Sequence, residues 1–479
     1  MVNVRMFLLL MVFILAGCSN DKNALSTNKT ETSLTEQELR VLFRMRERDN
    51  RVSEDEITKL LDGIISFLDG ESSLKSGFGR KVNSTLALVS DNRPALKSGD
   101  LGDIEFPDTL AYVFNFNDSL GFAIISADTR IDNAILAFTD NSSLMDSIDN
   151  PGIAIFLELL EDYMLNSIIE AEQQKDSLLE SIMEKLGDES DTKSGLFPII
   201  SAREISRETV SKVGPLVPVE WGQERPYNNN LGGQCNNTSG RYWAGCVATA
   251  VAQILSYWRH PSNINGFSFN WAELNQYTSR PGAYPNAGNQ SVFWAPNNVN
   301  IQLANLFQQI GSGVSMNYGC GGSGATTSNS VNFLGRQGFR TEGIRGYDYN
   351  TVISSLNNRR PLMAAGCSEA RTVITRFLGI QISKNTVYDK CHQWVIDGYL
   401  RHRVTLELTK SRNDAVLQRV LYHEYLHNNW GWDGFSNGFF EIGVFNSNLI
   451  PLHSNSRSDR SKEDYNYQHR IEIVPNIHR

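Results

Sequence analysis

Residues 243–258 read WAGCVATAVAQILSYW, so a cysteine directly follows a glycine at the start of an apolar run. The apolar positions that recur at spacings of three to four residues are Val247, Val251, Leu255 and Trp258. This spacing predicts a helix that begins at Cys246. A free cysteine is most often a small buried hydrophobe. At a helix N-terminus, however, unpaired N–H groups and the helix dipole stabilise a thiolate and lower the pKa of the thiol. The position therefore makes Cys246 a candidate nucleophile.

A histidine suited to partner this cysteine occurs in CHQWVIDGY, residues 391–399. A cysteine nucleophile needs a base, a group that orients the base, and donors for an oxyanion. His392 precedes an apolar, β-branched run at 394–396, which predicts a buried strand that fixes the orientation of the imidazole. The alternative is a core histidine without a catalytic role.

Two further polar side chains complete the candidate site. Asn429, in HNNWGWDGFSNGFFEI at 427–442, is suited to accept the ring N–H of His392. Trp430 and Trp432 would shield that bond from water and strengthen it. Gln223, in WGQERPYN at 221–228, is suited to donate its amide to an oxyanion, beside a backbone N–H. The alternative for the aromatic segment is a glycine-rich hairpin in a β core.

The order and spacing of these residues agree with a papain-like arrangement. In papain-like peptidases the histidine and the asparagine follow the cysteine by about 130–150 residues. His392 fits this spacing, whereas Asn429 lies later. The excess falls on residues 401–420, which we interpret as an inserted hairpin or loop beside the site.

Four motifs in the chain resemble the streptopain-like C10 family of cysteine peptidases, including its Bacteroides-type members. They are GCVATAVAQILSYW (245–258), SMNYGCGGSGA (315–325), HQWVIDGY (392–399) and NWGWDGFSNGFF (429–440). Residues 112–138, YVFNFNDSLGFAIISADTRIDNAILAF, resemble the inhibitory propeptide of that family. The resemblance extends across 213–479 and 109–148.

The resemblance implies a role for each motif residue. Cys246 is the nucleophile, His392 the general acid and base, and Gln223 part of the oxyanion hole. Asn429 or the Trp430 backbone orients the histidine, and Trp430 and Trp432 cover it. The loop expected to line the substrate cleft contains Gly321, Gly322, Ser323 and Gly324.

Two departures from the family pattern leave the substrate preference open. Where the family has glycine before the histidine, this chain has Cys391, which would narrow the cleft or pair with another cysteine. The other departure is the insertion at 401–420.

The N-terminus predicts export. Arg5 precedes an apolar stretch at 6–16 that is too short to span a bilayer and suits a signal peptide. The stretch ends in L-A-G-C, which resembles a bacterial lipobox with Cys18 as the lipidated residue. We therefore expect a lipid-anchored protein of the bacterial cell envelope, at the outer membrane, either surface-exposed or released after processing. The alternative is an ordinary secretory signal that happens to contain Cys18.

Composition changes along the chain predict its domains. The ranges are a signal peptide at 1–18, a polar tether at 19–38, an α+β inhibitory prodomain at 39–190, a linker and activation region at 191–212, and the peptidase domain at 213–479. Within the prodomain the pattern predicts a helix near 54–70, three strands between 109 and 139, and a helix at 151–187 that opens on Pro151.

The remaining cysteines and histidines indicate whether disulfides or a metal site are to be expected. Apart from Cys18, the cysteines are Cys235, Cys246, Cys320, Cys367 and Cys391, an odd number that predicts one free thiol and up to two disulfides. The segment H-E-Y-L-H at 423–427 matches the zincin motif, in which His423 and His427 would be ligands on a helix. Asn428 and Asn429 would end that helix at once, and no third ligand is evident.

These observations predict an α+β chain whose catalytic domain is papain-like and two-lobed. A helical lobe would carry Cys246 and a β-barrel lobe His392. The predicted function is a secreted cysteine endopeptidase made as a zymogen, with protein or peptide substrates, its own prodomain as inhibitor, and no metal or organic cofactor. The net charge of −9 and the absence of a long basic run argue against nucleic acid as a partner. The rivals are a non-catalytic surface binding protein on the same scaffold and a zinc hydrolase.

Overall fold

A computed structural model describes most of the chain beyond its N-terminal segment. The described residues are 34–45, 49–70, 79–89, 104–144, 149–186, 200–237, 239–277, 295–368, 371–377, 380–387, 390–410, 416–446 and 471–479. The predicted signal peptide, Cys18 and most of the tether lie outside these ranges. Within them, no helix combines the length and the apolar character needed to cross a membrane.

The N-terminal region is built from three helices and four strands. They are α1 (Glu36–Arg44), α2 (Glu54–Asp69), β1 (Val82–Leu88), β2 (Ala111–Phe116), β3 (Phe122–Ser126), β4 (Ile135–Thr139) and α3 (Pro151–Leu186), with a short 3₁₀ helix at Asn117–Ser119. The predicted helix near 54–70, the three strands and the helix opening on Pro151 are confirmed. The tether was expected to reach residue 38, but α1 begins earlier because Thr35 and Glu38 form a capping box.

The C-terminal region begins with a long strand and a group of helices. These elements are β5 (Ile200–Val213), α4 (Cys246–Trp258), β6 (Asn263–Ile264), β7 (Phe267–Ser268), α5 (Trp271–Leu274), α6 (Asn297–Gly313), α7 (Thr327–Arg336), β8 (Arg345–Gly346) and α8 (Tyr349–Asn357). Strands dominate the rest. They are β9 (Leu362–Ser368), β10 (Arg371–Phe377), β11 (Ile380–Val387), β12 (Lys390–Lys410), β13 (Val416–Asn429), β14 (Gly438–Glu441) and β15 (Glu472–Val474), with a 3₁₀ helix at Ile442–Phe445.

One sheet joins the two regions. Its strand order is β11-β10-β1-β2-β3-β4-β14-β13-β12-β9-β15-β8, with β5 paired to β12 off this path. The junction is the antiparallel pairing of β4 with β14, in which Phe138 lies opposite Phe439. The chain is thus a mixed α and β protein, as predicted. The expected closed barrel is not seen, because the strand order is an open path over the described ranges.

Two segments differ from the sequence interpretation. The linker expected at 191–212 contains β5, which pairs with β12 from Ile200 to Val213. Many residues of β5 are polar, so its sequence does not show the pattern of a strand. The strand is stabilised by a partner that is distant in sequence. The described residues of the insertion at 401–420 belong to the outer halves of β12 and β13, which pair in antiparallel fashion out to Thr409 and Val416.

Among the residues that the structure describes, the buried side chains form four clusters, and three of these are shared between the N-terminal and C-terminal regions. The cluster confined to the C-terminal region packs α4 and α6 together with α7 and includes Val251, Leu303 and Phe333. The largest shared cluster joins α3 to the sheet through Phe156, Trp430 and Phe440. The N-terminal region therefore packs against the C-terminal region through these shared clusters.

Candidate active site

Helix α4 begins at Cys246, as predicted. Gly245 precedes it with φ of 91°, a conformation that favours glycine. A Cβ atom at this position would lie 2.8 Å from the Met316 side chain and 2.9 Å from the Ser323 carbonyl oxygen. Only glycine therefore allows the loop containing Ser323 to approach the start of α4. Cys246 itself is half-buried and is the one free cysteine among the described residues.

The segment containing Gln223 lies beside the first turn of α4. The Ala244 N–H donates to the Gln223 carbonyl at 3.0 Å, and the Thr249 hydroxyl donates to the Gly222 carbonyl at 3.2 Å. Gln223 is buried. These bonds hold Gln223 near Cys246, although its oxyanion role remains a prediction.

His392 is the third residue of β12 and is buried. Its Nε2 lies 2.7 Å from the carbonyl oxygen of Trp430. Because a carbonyl oxygen only accepts, Nε2 carries the proton in the neutral ring and Nδ1 has the free lone pair. Trp394 stacks on the imidazole at 6.2 Å between centroids, and Trp432 meets it edge-on at 6.3 Å. Of the two orienting groups expected from the sequence, the structure has the Trp430 backbone.

Asn429 does not accept the hydrogen bond from the His392 ring that the sequence predicts. Its Oδ1 accepts from Gln253 Nε2 at 2.9 Å and from the Gly431 N–H at 3.3 Å, and its Nδ2 donates to the Val219 carbonyl at 2.8 Å. The side chain thus connects β13 to α4 and to residue 219. Sequence reasoning missed Gln253, although a lone amide in the buried face of an apolar helix was a usable signal.

Burial dominates the electrostatics of the candidate pair. It raises the pKa of the Cys246 thiol, against the opposing effect of hydrogen bonds from the backbone of Gln393, Val247 and Cys246 itself. Burial also lowers the pKa of His392 to about 4, against the bond to Trp430. The sequence predicted a lowered thiol pKa, but desolvation outweighs the N–H groups at the helix end. Both groups are neutral near pH 7 in this state.

The predicted glycine loop lies next to Cys246. The Gly319 N–H donates to Ser323 Oγ at 3.1 Å, and a disulfide joins Cys235 to Cys320. A Cβ at Gly321, Gly322 or Gly324 would meet nothing within 4 Å, so the loop faces open space. This placement suits a cleft wall, and substrate contact by these residues remains a prediction.

Trp243 connects this loop to the aromatic segment and was also missed. Its indole N–H donates to the Cys320 carbonyl at 3.0 Å, and its ring stacks on Trp432 at 5.6 Å. Trp432 also borders a cavity of about 730 Å³ that Asn117 and Asp149 of the N-terminal region help to line.

Cys391 forms a disulfide with Cys367, its cross-strand neighbour on β9. Side chains alternate along a strand, so Cys391 lies on the face opposite His392. Of the two roles expected for it, pairing with another cysteine is the one found. The predicted pattern of two disulfides and a free Cys246 is confirmed within the described residues.

The zincin interpretation of 423–427 is wrong, because this segment belongs to strand β13 and not to a helix. His427 Nδ1 lies 2.6 Å from Asp397 Oδ1, which raises the pKa of His427 against the effect of burial. Over the part of the chain that the structure describes, no three His, Cys, Asp or Glu side chains are grouped to hold a metal ion.

Comparison with known proteins finds similar peptidases and a similar peptidase inhibitor. Residues 221–440 match the model of the peptidase C10 family, and residues 84–164 match that of the Spi protease inhibitor. Streptopain of Streptococcus pyogenes is 24% identical over 417 residues, which cover 81% of this chain and 85% of streptopain. The thiol protease/hemagglutinin PrtT of Porphyromonas gingivalis is 24% identical over 357 residues, covering 71% of this chain and 35% of PrtT.

A solved structure, a fragment of prointerpain A from Prevotella intermedia, is 20% identical and superposes with a TM-score of 0.46 over 78% of this chain and 98% of that one. The family and sequence matches identify the protein as a cysteine peptidase. Residues 221–440 are similar to the peptidase C10 family, and a region similar to the Spi protease inhibitor, residues 84–164, lies ahead of them.

Proposed function

We propose that the protein is a secreted cysteine endopeptidase made as a zymogen, in which Cys246 and His392 form the catalytic pair. One observation carries the assignment. The Trp432 ring stacks on Trp243, three residues before Cys246, at 5.6 Å between centroids, and it meets the His392 imidazole edge-on at 6.3 Å. The helical half that carries the cysteine and the strand-rich half that carries the histidine thus meet around Trp432. We take them as the two lobes of a papain-like cleft.

The geometry of His392 supports a specific sequence of proton transfers. The Trp430 carbonyl holds the proton of Nε2, so Nδ1 is the nitrogen that takes the proton of the Cys246 thiol. The thiolate attacks the peptide carbonyl, and the N–H of Cys246 with the Gln223 amide stabilises the oxyanion. The imidazolium then protonates the leaving amine, and water activated by the neutral imidazole hydrolyses the thioester.

Contacts around residues 430–437, which we name the tryptophan loop, support inhibition by the N-terminal region. This loop supplies the carbonyl that orients His392. Asn150 Nδ2 donates to the Phe435 carbonyl at 3.0 Å, and the hydroxyls of Ser142 and Ser436 lie 2.9 Å apart. Gly152 packs so closely on Trp430 that a Cβ there would lie 2.2 Å from the indole ring. The prodomain thus covers the loop on which catalysis depends.

Activation then requires cleavage between the prodomain and the peptidase domain. Strand β5 is hydrogen-bonded along its length, which disfavours cleavage within it. We therefore place the activating cut in the N-terminal part of the predicted 191–212 region, ahead of Ile200.

Export and a lipid anchor at Cys18 in the bacterial cell envelope complete the proposal and rest on the N-terminal sequence alone.

A peptidase assay on casein, after removal of the prodomain, tests the catalytic assignment. Cys246→Ala should lower the rate by roughly 10³-fold or more, because the nucleophile is lost. Tyr257→Phe is the matched control on the same helix; it removes only a hydroxyl that donates to the Arg359 carbonyl at the surface, and activity should be unchanged. A Cys246→Ala enzyme with more than a tenth of normal activity would contradict the assignment.

The same assay separates the rival functions. A zinc hydrolase would lose activity with 1,10-phenanthroline, whereas the proposed enzyme should keep it. A surface binding protein without catalysis would show no Cys246-dependent cleavage in any condition.

A further inference from the structure

The outer halves of β12 and β13, together with β5, form a three-stranded extension of the peptidase region. We name it the arm and define it as β5 with residues 399–410 of β12 and 416–426 of β13. On β12, Val404 lies opposite Arg207 of β5 and Leu421 of β13. The arm leads away from the active site, since Val404 is about 40 Å along the strand from His392 at ~3.3 Å per residue.

The two faces of the arm differ sharply in exposure. Val404, Leu406 and Leu408 alternate along β12, and each is at most 2% exposed; Leu421 on β13 is 1% exposed. The next residues along β13 on either side, Val420 and Tyr422, are exposed by 38% and 47%. One face of the β12–β13 part of the arm is therefore a largely apolar surface that something must cover, whereas β5 adds the ion pair of Arg207 with Glu204 to the same face.

The cover comes from the prodomain. The apolar cluster on the arm is completed by residues of α1 and of the last turns of α3, namely Leu39, Val41, Leu42, Phe43, Leu178, Leu179 and Ile182. Cys246, His392 and Trp430 do not belong to this cluster. The prodomain thus contacts the peptidase region at a place separate from the tryptophan loop.

Polar contacts attach α1 to the body of the prodomain. Both carboxylate oxygens of Glu38 lie 2.8 Å from Lys185 Nζ, and one accepts from the Ser181 hydroxyl at 2.6 Å. These bonds outweigh burial and lower the pKa of Glu38 to about 2. Arg40 adds a bond of 2.9 Å to Asp132. Helix α1 therefore moves with the prodomain, and its apolar face is the part that binds the arm.

The two elements that flank the proposed cut both contribute to this cluster. Ile182 is close to the end of α3, and Ala202 is close to the start of β5. A cut between these elements breaks the backbone but removes no member of the cluster. We infer that the arm is a second docking surface for the prodomain, remote from the active site, that keeps the cleaved prodomain bound to the peptidase domain. The inference rests on the proposed zymogen function.

A dissociation experiment tests the inference without using peptidase activity. The full chain carries Cys246→Ala, which prevents self-cleavage, and a recognition sequence for a specific protease placed within residues 187–199. After cutting, the peptidase fragment is immobilised through a C-terminal tag, and the release of the prodomain is followed over time. The cleaved prodomain should stay bound through several column volumes of buffer.

Matched variants on the two faces of β13 locate the interaction. Leu421→Ala, on the covered face, should speed release by roughly thirty-fold, equivalent to about 2 kcal/mol. Val420→Ala, on the outer face, should change the rate by no more than about twofold. Leu42→Ala in α1 should speed release of the prodomain as much as Leu421→Ala does. Because it leaves the peptidase fragment unaltered, this variant tests the inference even if Leu421→Ala does not fold.

Two results would overturn the inference. One is immediate release of the prodomain from the parent protein after cutting. The other is equal release rates for Leu42→Ala, Leu421→Ala and Val420→Ala. Because the readout is binding, either failure is distinct from failure of the catalytic proposal, which Cys246→Ala tests in the casein assay.

Discussion

Replacing Asn429 with alanine separates two ways in which this residue could serve the site. Its side chain makes three hydrogen bonds, to Gln253, Val219 and the N–H of Gly431, and none of them is to His392. Each such bond contributes about 1 kcal/mol net. With the side chain only 2% exposed, water cannot replace the bonds, and Asn429→Ala should lower the free energy of unfolding by about 3 kcal/mol.

The catalytic effect should be much smaller than this structural one. The Trp430 carbonyl still accepts from His392 in the variant, so the imidazole keeps its tautomer. We expect kcat to fall by no more than about tenfold through loosening of the loop, with an unchanged pH profile. By comparison, loss of the group that fixes a catalytic histidine's tautomer costs about 10⁴-fold in a serine peptidase.

Urea unfolding and steady-state kinetics on the matured enzyme measure the two effects side by side. Asn428→Ala is a useful comparison, since Asn428 accepts from Trp394 Nε1 at 2.8 Å. A 10³-fold loss of kcat with unchanged stability would refute the reasoning. That result would mean that Asn429 orients His392 directly in the active enzyme.

Three further predictions address the oxyanion hole, pH and anchoring. Gln223→Ala should lower kcat by about 10²-fold with little change in KM; a change confined to KM would assign Gln223 to substrate binding. Burial raises the pKa of Glu441 to about 7 from 4.5, so the folded zymogen binds this proton more tightly than the unfolded chain and loses stability as pH rises from about 4.5 to 7. Glu441→Gln should therefore stabilise the zymogen by about 3 kcal/mol at pH 8 and by less than 1 kcal/mol at pH 4.5, measured by urea unfolding; an equal effect at both pH values would show that ionisation is not responsible. Cys18→Ala should release the protein from the membrane fraction, and unchanged fractionation would reject the lipid anchor.

The parts of the fold that the sequence predicted are those with local patterns. Helix α4 and strands β2 to β4 have apolar periodicities that specify them without a distant partner. Strand β5, ISAREISRETVSKV, is largely polar, and it is stabilised by pairing with β12 about two hundred positions away. No local pattern predicts such a strand, and the same is true of the join between β4 and β14.

The candidate site likewise combines features that have a local sequence pattern with features that depend on distant parts of the chain. Cys246 and His392 could be proposed as the catalytic pair because their residue types and flanking patterns are specific. The group that orients His392 is a backbone carbonyl, which every residue has, so the sequence favoured the side chain of Asn429 over its neighbour. The raised pKa of Cys246 depends on burial by distant parts of the chain, which a helix start does not reveal.

Alkylation of the matured enzyme tests the central claim, that Cys246 is the nucleophile, most directly. The other four cysteines of the peptidase region are paired in disulfides, so iodoacetamide has one thiol to modify there. Peptide mass spectrometry gives the fraction of Cys246 modified, and the casein assay gives the remaining activity at each time. The account predicts one carbamidomethyl group per molecule, at Cys246, with activity falling in proportion to its modification. Full activity in an enzyme whose Cys246 is completely alkylated would contradict it.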